Sequence, residues 1–216
     1  MKIFYIPEKL SCVIFDIDST LYTNPAYAYE QVDVQIRHFA RIRGITDAEA
    51  RSLVEHYRSE YEKVYKKKIS LGNTLVHFGI SIAESIRWRE ELLEPVTYLS
   101  PDITLQTILR TLTRNYALIA VTNNPVLPAR KTLDVLGVTE FFPHIIGLDT
   151  VGVSKPHEKP FREAAARTGT PVQECLAVGD RYDIDIALPL ELGMGGILVD
   201  GVKDVYKLPN ILSDHC

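Results

Sequence analysis

Four short apolar runs rich in β-branched residues recur along the chain: Cys12-Val13-Ile14-Phe15, Leu118-Ile119-Ala120-Val121, Cys175-Leu176-Ala177-Val178 and Gly196-Ile197-Leu198-Val199. Each is continuous rather than alternating. That is the pattern of strands buried on both faces, which occur in parallel sheets covered by helices. The gaps between them read as helices. Ser100-Pro101 offers an N-cap and a first-turn proline ahead of Leu105, Ile108, Leu109 and Leu112, spaced i, i+3, i+4, i+7. Further helices are expected over about 127–136, ending at Gly137, and about 160–168, ending at Gly169. Strand and helix alternate, so the fold class is α/β with a doubly wound, Rossmann-like parallel sheet.

One stretch breaks the alternation. Between residues 22 and 98 only helical periodicity is found, with Val32, Ile36, Phe39 and Ala40 on one apolar face and Val54, Tyr57, Tyr61 and Val64 on another. Thr46-Asp47-Ala48-Glu49 and Ser81-Ile82-Ala83-Glu84 have capping-box spacing, and Gly44 and Gly79 are suited to end the helices before them. The expected organisation is an α/β core of residues 1–21 and 99–216, with residues 22–98 inserted as a subdomain of three or four helices.

With 46% hydrophobic residues among 216, the chain can bury a sizeable core. Its net charge of -4 supplies no broad basic field, so neither nucleic acid nor a membrane is an expected partner. The apolar run at Ile3-Phe4-Tyr5-Ile6 is too short for a secretory h-region, and no run approaches the ~20 apolar residues of a membrane span. A soluble cytoplasmic protein, monomeric or homodimeric, is expected. Cys12, Cys175 and Cys216 are too scattered for a disulfide framework or a zinc site, and His38, His56, His77, His144, His157 and His215 lack metal-ligand spacing.

The chemistry-bearing residues gather where strands end. Asp16-Ile17-Asp18 closes the first run, at the edge where parallel sheets open their ligand crevice. Two carboxylates so close stay ionised together only beside a cation. The same pair would also serve a plain strand end and turn. After the second run, Thr122-Asn123-Asn124-Pro125 brings a hydroxyl and successive backbone N–H groups that suit a phosphate oxygen, or equally a helix cap. Lys155 and Lys159 both lie near a proline-marked helix start, within reach of an anion. Gly179-Asp180 through Asp185 follows the third run, and its thiol-free, histidine-free oxygen donors suit Mg2+, with Asp180 the first choice of ligand and Asp185, then Asp183, behind it.

Taken in order, an aspartate pair, a Ser/Thr, a lysine and a late acidic GDxxxxD segment resemble the four motifs of the haloacid dehalogenase-like hydrolase superfamily, and the gap after Asp18 matches that family's inserted helical cap. The resemblance spans the whole chain. It implies Asp16 as nucleophile and Asp18 as general acid and base. Mg2+ would be held by Asp16, the backbone carbonyl of Asp18, Asp180 and Asp185, and the phosphoryl oxygens by Thr122, the Asn123 N–H and Lys155. The spacing to Phe161 favours Lys155 over Lys159. A small phosphate ester is the implied substrate, with the cap closing over it. An acid at Asp18 separates the chain from the metal-free dehalogenases of the superfamily. The run Asp16 to Tyr22 with an all-helical cap looks most like the branch containing pyrimidine 5'-nucleotidases. A phosphomutase of the β-phosphoglucomutase type and a catalytically silent binding protein are the competing readings. Two departures stand out: Ser19 where the family commonly has glycine, and Pro189 in the helix after Asp185. Lys63, Lys66-Lys67-Lys68 and Trp88 read as solvated helix face and packing.

Overall fold

The structure, a computed structural model, describes residues 1–213; Cys216 and His215 lie outside the described residues. The chain forms two compact units: Met1–Pro25 together with the chain from Pro95 onward, and Ala26–Glu94. The first holds a six-stranded sheet made of β1 (Lys2–Tyr5), β2 (Cys12–Phe15), β3 (Ala117–Val121), β4 (Ile145–Ile146), β5 (Cys175–Gly179) and β6 (Gly195–Leu198). Their spatial order is β1-β6-β5-β2-β3-β4. The chain steps outward from β2 through β3 to β4, then returns to the other side of β2 for β5 and β6. That reversal sets a topological switch point beside β2.

All four strands expected from sequence are present to within a residue, and β2 runs parallel to both β3 and β5, with Cys12 opposite Ala117 on one side and Cys175 on the other. The sheet is not wholly parallel. β1 pairs antiparallel with β6 at the edge. Neither β1 nor β4 shows in the sequence pattern, because β1 leaves Ile3 and Tyr5 about half exposed and β4 is two residues long. The Cys12 and Cys175 thiols are free and buried among Ile14, Ile119, Phe161 and Met194.

The second unit carries four helices, α1 (Pro25–Arg43), α2 (Asp47–Tyr65), α3 (Leu71–His77) and α4 (Ile82–Leu92). Both capping boxes form: Thr46 accepts from the Glu49 N–H and Ser81 from the Glu84 N–H, each reciprocated by the glutamate. Ile36, Phe39, Ala40, Val54, Leu75 and Trp88 are among the residues of its small core. The apolar faces expected from sequence are trimmed, since Val32 is 39% and Val64 68% exposed. Inside α1 lies a buried acid the periodicity does not flag. Asp33 accepts from Arg51 Nε (2.7 Å) and Nη2 (3.0 Å), from Tyr29 Oη (3.1 Å) and from Arg37 Nη1. The Arg51 bonds first, with those from Arg37 and Tyr29, outweigh the cost of burial and hold its carboxyl down at about 2. Trp88 is buried with its ring against His38, and Lys66, Lys67 and Lys68 are exposed.

Back in the sheet unit, α5 (Ile103–Leu112), α6 (Val126–Leu136), α7 (Leu148–Val151) and α8 (Glu158–Thr168) fill the crossovers. The cap of α5 is Asp102, not the expected Ser100: its Oδ1 accepts from the Leu105 N–H at 2.8 Å while Oδ2 accepts from the Tyr206 hydroxyl at 2.5 Å. After β5 the chain makes a π-helical turn, Tyr182–Ile186, before α9 (Ala187–Glu191). Pro189 there has no N–H to offer the Asp185 carbonyl, as an α-helix would require. No helix among the described residues is long and apolar enough to cross a membrane.

Candidate active site

Three adjacent strands, β3, β2 and β5, end at one edge of the sheet. Their register is set by pairs such as Phe15 with Ala120 and with Val178, and continued by the Asp16 N–H donating to the Val178 carbonyl at 2.9 Å. Residues that follow each strand are thereby delivered to one place at that edge, where parallel sheets carry their ligand sites. Asp16 and Asp18 come from β2, Thr122 and the two asparagines from β3, Asp180 and Asp185 from β5, and Lys155 from the loop before α8.

At the centre, Lys155 Nζ donates to Asp16 Oδ1 and to Asp185 Oδ1, both at 2.6 Å. All three residues are at most 5% exposed. Lys159, its rival in the sequence, is exposed. Asp185 is fixed at its other oxygen by the Arg181 N–H, at 3.1 Å. Its close approach to the strand end depends on Gly179, where any Cβ would land on the Asp185 side chain. Asp183, two residues earlier, is exposed, because the π turn aims only Asp185 inward.

One ammonium does not balance this many acids. Burial, opposed by Lys155 but reinforced by Asp185 and Asp18, pushes the Asp16 carboxyl up to about 7. Burial, with Asp185 adding to it, also raises Asp180. For Lys155 burial alone would favour the neutral amine, yet Asp16 and Asp185 together hold its pKa above the usual lysine value. Carboxylate oxygens of Asp16, Asp180 and Asp185 lie within 4.8 Å of one another, a donor set of oxygens alone. Such a set, short of positive charge, fits a hard divalent cation such as Mg2+. Of the four residues expected as metal ligands, Asp16, Asp180 and Asp185 supply carboxylates to this group, while Asp18 is expected there through its backbone carbonyl and its carboxylate is engaged elsewhere.

Asp18 Oδ1 accepts from the Tyr22 hydroxyl at 2.6 Å, and Oδ2 accepts from Asn124 Nδ2 at 2.9 Å and Thr122 Oγ1 at 3.3 Å. Thr122 Oγ1 in turn accepts from the Asn124 N–H at 3.1 Å. Asn123 binds the lysine loop through its side chain: Nδ2 donates to the Lys155 carbonyl at 3.1 Å and Oδ1 accepts from the Lys155 N–H at 2.7 Å. The segment is therefore not the plain helix cap that its composition also allows. The first N–H of α6, on Val126, is instead taken by Asp149 Oδ1 at 3.0 Å. Sequence reasoning overlooked Tyr22, Asn124 and Thr20, whose hydroxyl donates to Asp16 Oδ2 at 3.3 Å. Thr20 and Tyr22 each follow their aspartate by four residues, a spacing that points to contact only once the intervening turn is known. Ser19 in that turn has φ +60°, the left-handed region where glycine is cheapest.

Residues 10–192 match the haloacid dehalogenase-like hydrolases as a family. The chain belongs to that family. Glyceraldehyde 3-phosphate phosphatase of Methanopyrus kandleri is 27% identical over 194 residues, covering 86% of this chain and 82% of the relative. Phosphoglycolate phosphatase of Aquifex aeolicus is 26% identical over 175 residues, covering 81% and 77%. Among solved structures, a HAD phosphatase from Thermococcus onnurineus superposes with a TM-score of 0.65 at 21% identity, covering 95% of this chain and 99% of its own, which establishes a shared fold. In this hydrolase Asp16, Asp18, Thr122, Lys155, Asp180 and Asp185 gather at one edge of the sheet.

Proposed function

We propose that this hydrolase is a Mg2+-dependent phosphatase that cleaves small phosphomonoesters through an aspartyl phosphate on Asp16. The observation carrying this reading is the buried lysine shared between Asp16 and Asp185, beside a third carboxylate on Asp180 and an acid-base candidate on Asp18. Asp16 attacks phosphorus in line, the P–O bond to the leaving alcohol breaks, and Asp18 gives that oxygen its proton. Asp18 then takes a proton from water as it attacks the acyl phosphate, releasing inorganic phosphate and restoring Asp16. Thr122, the backbone at Asn123 and Lys155 hold the equatorial oxygens, where preorganised charge supplies much of the acceleration. Mg2+ held by Asp16, Asp180 and Asp185, with the Asp18 carbonyl, would offset the charge shared by nucleophile and phosphate.

Residues 26–94 act in this reading as the cap. The relatives named above carry two- and three-carbon phosphates in their names, so short acyclic phosphates lead the substrate list, ahead of the nucleoside monophosphates that the Asp16 to Tyr22 run favours. The test is phosphate release over a panel of both kinds, with Mg2+ or EDTA, on wild type and Asp16→Asn. Release that requires Mg2+ and vanishes in Asp16→Asn is expected. Turnover that survives either EDTA or the substitution defeats the reading, and silence across the panel favours a binding protein.

A further inference from the structure

We infer that Tyr22 is a positioning residue for proton transfer, holding the Asp18 carboxyl toward the leaving group; this rests on the reading of Asp18 as the general acid. Tyr22 is 3% exposed, and its hydroxyl meets Asp18 Oδ1 at 2.6 Å, in the short range of bonds made to ionised carboxylates. The opposite oxygen is held by Asn124 Nδ2 at 2.9 Å, and by Thr122 Oγ1 at 3.3 Å until that hydroxyl's one proton turns to a bound phosphoryl oxygen. Both oxygens are thus gripped, one from the loop after β2 and one from the end of β3. Tyr22 and Asn124 both donate, and a protonated carboxyl keeps acceptor lone pairs, so both bonds can persist while Asp18 carries the proton it transfers and that proton stays directed at the leaving group.

Local backbone geometry gives Tyr22 this place. The Thr20 and Leu21 N–H groups both return to the Ile17 carbonyl, at 3.3 and 2.9 Å, and Ser19 adopts φ +60°. The chain winds tightly enough there to bring residue 22 back over residue 18. A buried tyrosine hydroxyl needs a partner in any case. A purely structural role would use Asp18 as that partner and nothing more.

The two accounts separate by leaving group. An alkyl phosphate expels an alkoxide and needs the acid, whereas p-nitrophenyl phosphate expels a stable phenolate and does not. kcat/KM reports events up to the first irreversible step, in which that bond breaks. Tyr22→Phe is expected to lower kcat/KM about 10-fold for 2-phosphoglycolate or another alkyl phosphate, the scale of one hydrogen bond to a charged group, while p-nitrophenyl phosphate changes less than about 3-fold. Asp18→Asn should show the same selectivity more strongly, and adding Tyr22→Phe to it should cost nothing further. Asn124→Ala, a second arm independent of the tyrosine ring, should move the ratio in the same direction. Equal losses on both substrates for Tyr22→Phe, with Asp18→Asn selective, overturn the inference alone. If Asp18→Asn is itself unselective, the acid assignment falls and the inference with it.

Discussion

Each of the two units buries carboxylates against cations, but in opposite proportion. In the helical unit a single acid, Asp33, receives hydrogen bonds from two guanidinium groups and a phenol, and its carboxyl is held at about 2. In the sheet unit a single ammonium serves two buried acids, with Asp180 close by, and Asp16 rises to about 7. The first arrangement is self-sufficient and ties α1 to α2. The second is left wanting positive charge, and that shortfall distinguishes a site built to take up a ligand from one built to hold helices together.

The largest effect should come from removing the shared cation. Lys155→Met leaves Asp16 and Asp185 buried without a counter-charge, so turnover is expected to fall about 10²–10³-fold and stability in EDTA by about 3–5 kcal/mol, measured by phosphate release and urea unfolding. A mutant of near-normal rate would erase the contrast. Next in size, Asp33→Asn should lower stability by about 1–3 kcal/mol while leaving kcat/KM on p-nitrophenyl phosphate unchanged. A loss of rate comparable to that of Lys155→Met would show the helical pair to be part of the chemistry. The smallest effect concerns pH. The Asp16 pKa is raised in the folded, metal-free protein, against about 3.9 when unfolded, so the stability tied to its proton is complete at low pH and disappears as pH climbs toward 7. Mg2+ needs the ionised carboxylate, so the rise in Tm on adding it should be larger at about pH 8 than at about pH 5.5. Equal shifts at both values would separate the metal from Asp16.

Much of this is legible in the sequence. β2, β3, β5 and β6 are apolar runs with no solvated face, and both capping boxes depend only on residues three apart. The edge strand β1 is not, since its pairing with β6 reaches almost the length of the chain and its sequence carries no buried run. In the site, Asp16 and Asp180 each follow a recognisable strand run, whereas Lys155 and Asp185 are singled out by their resemblance to the family's motifs. The choice between Asp183 and Asp185 depended on a π turn that propensities do not announce. The role of the Asn123 side chain and the grip of Asn124 on Asp18 arise from approaches between loops 32 and 106 positions apart, and the grip of Tyr22 on Asp18 from a tight turn that the sequence pattern does not announce.

The glycine at 179 has a consequence for sequence variation. Because a Cβ there would displace the very acid that binds Lys155, the site admits one letter, and even alanine, the mildest change available, should act as a lesion of the Lys155–Asp185 pair rather than of the strand. A position of this sort gives selection nothing to explore by small steps, and relocating Asp185 would require the strand end and the turn after it to be rebuilt together.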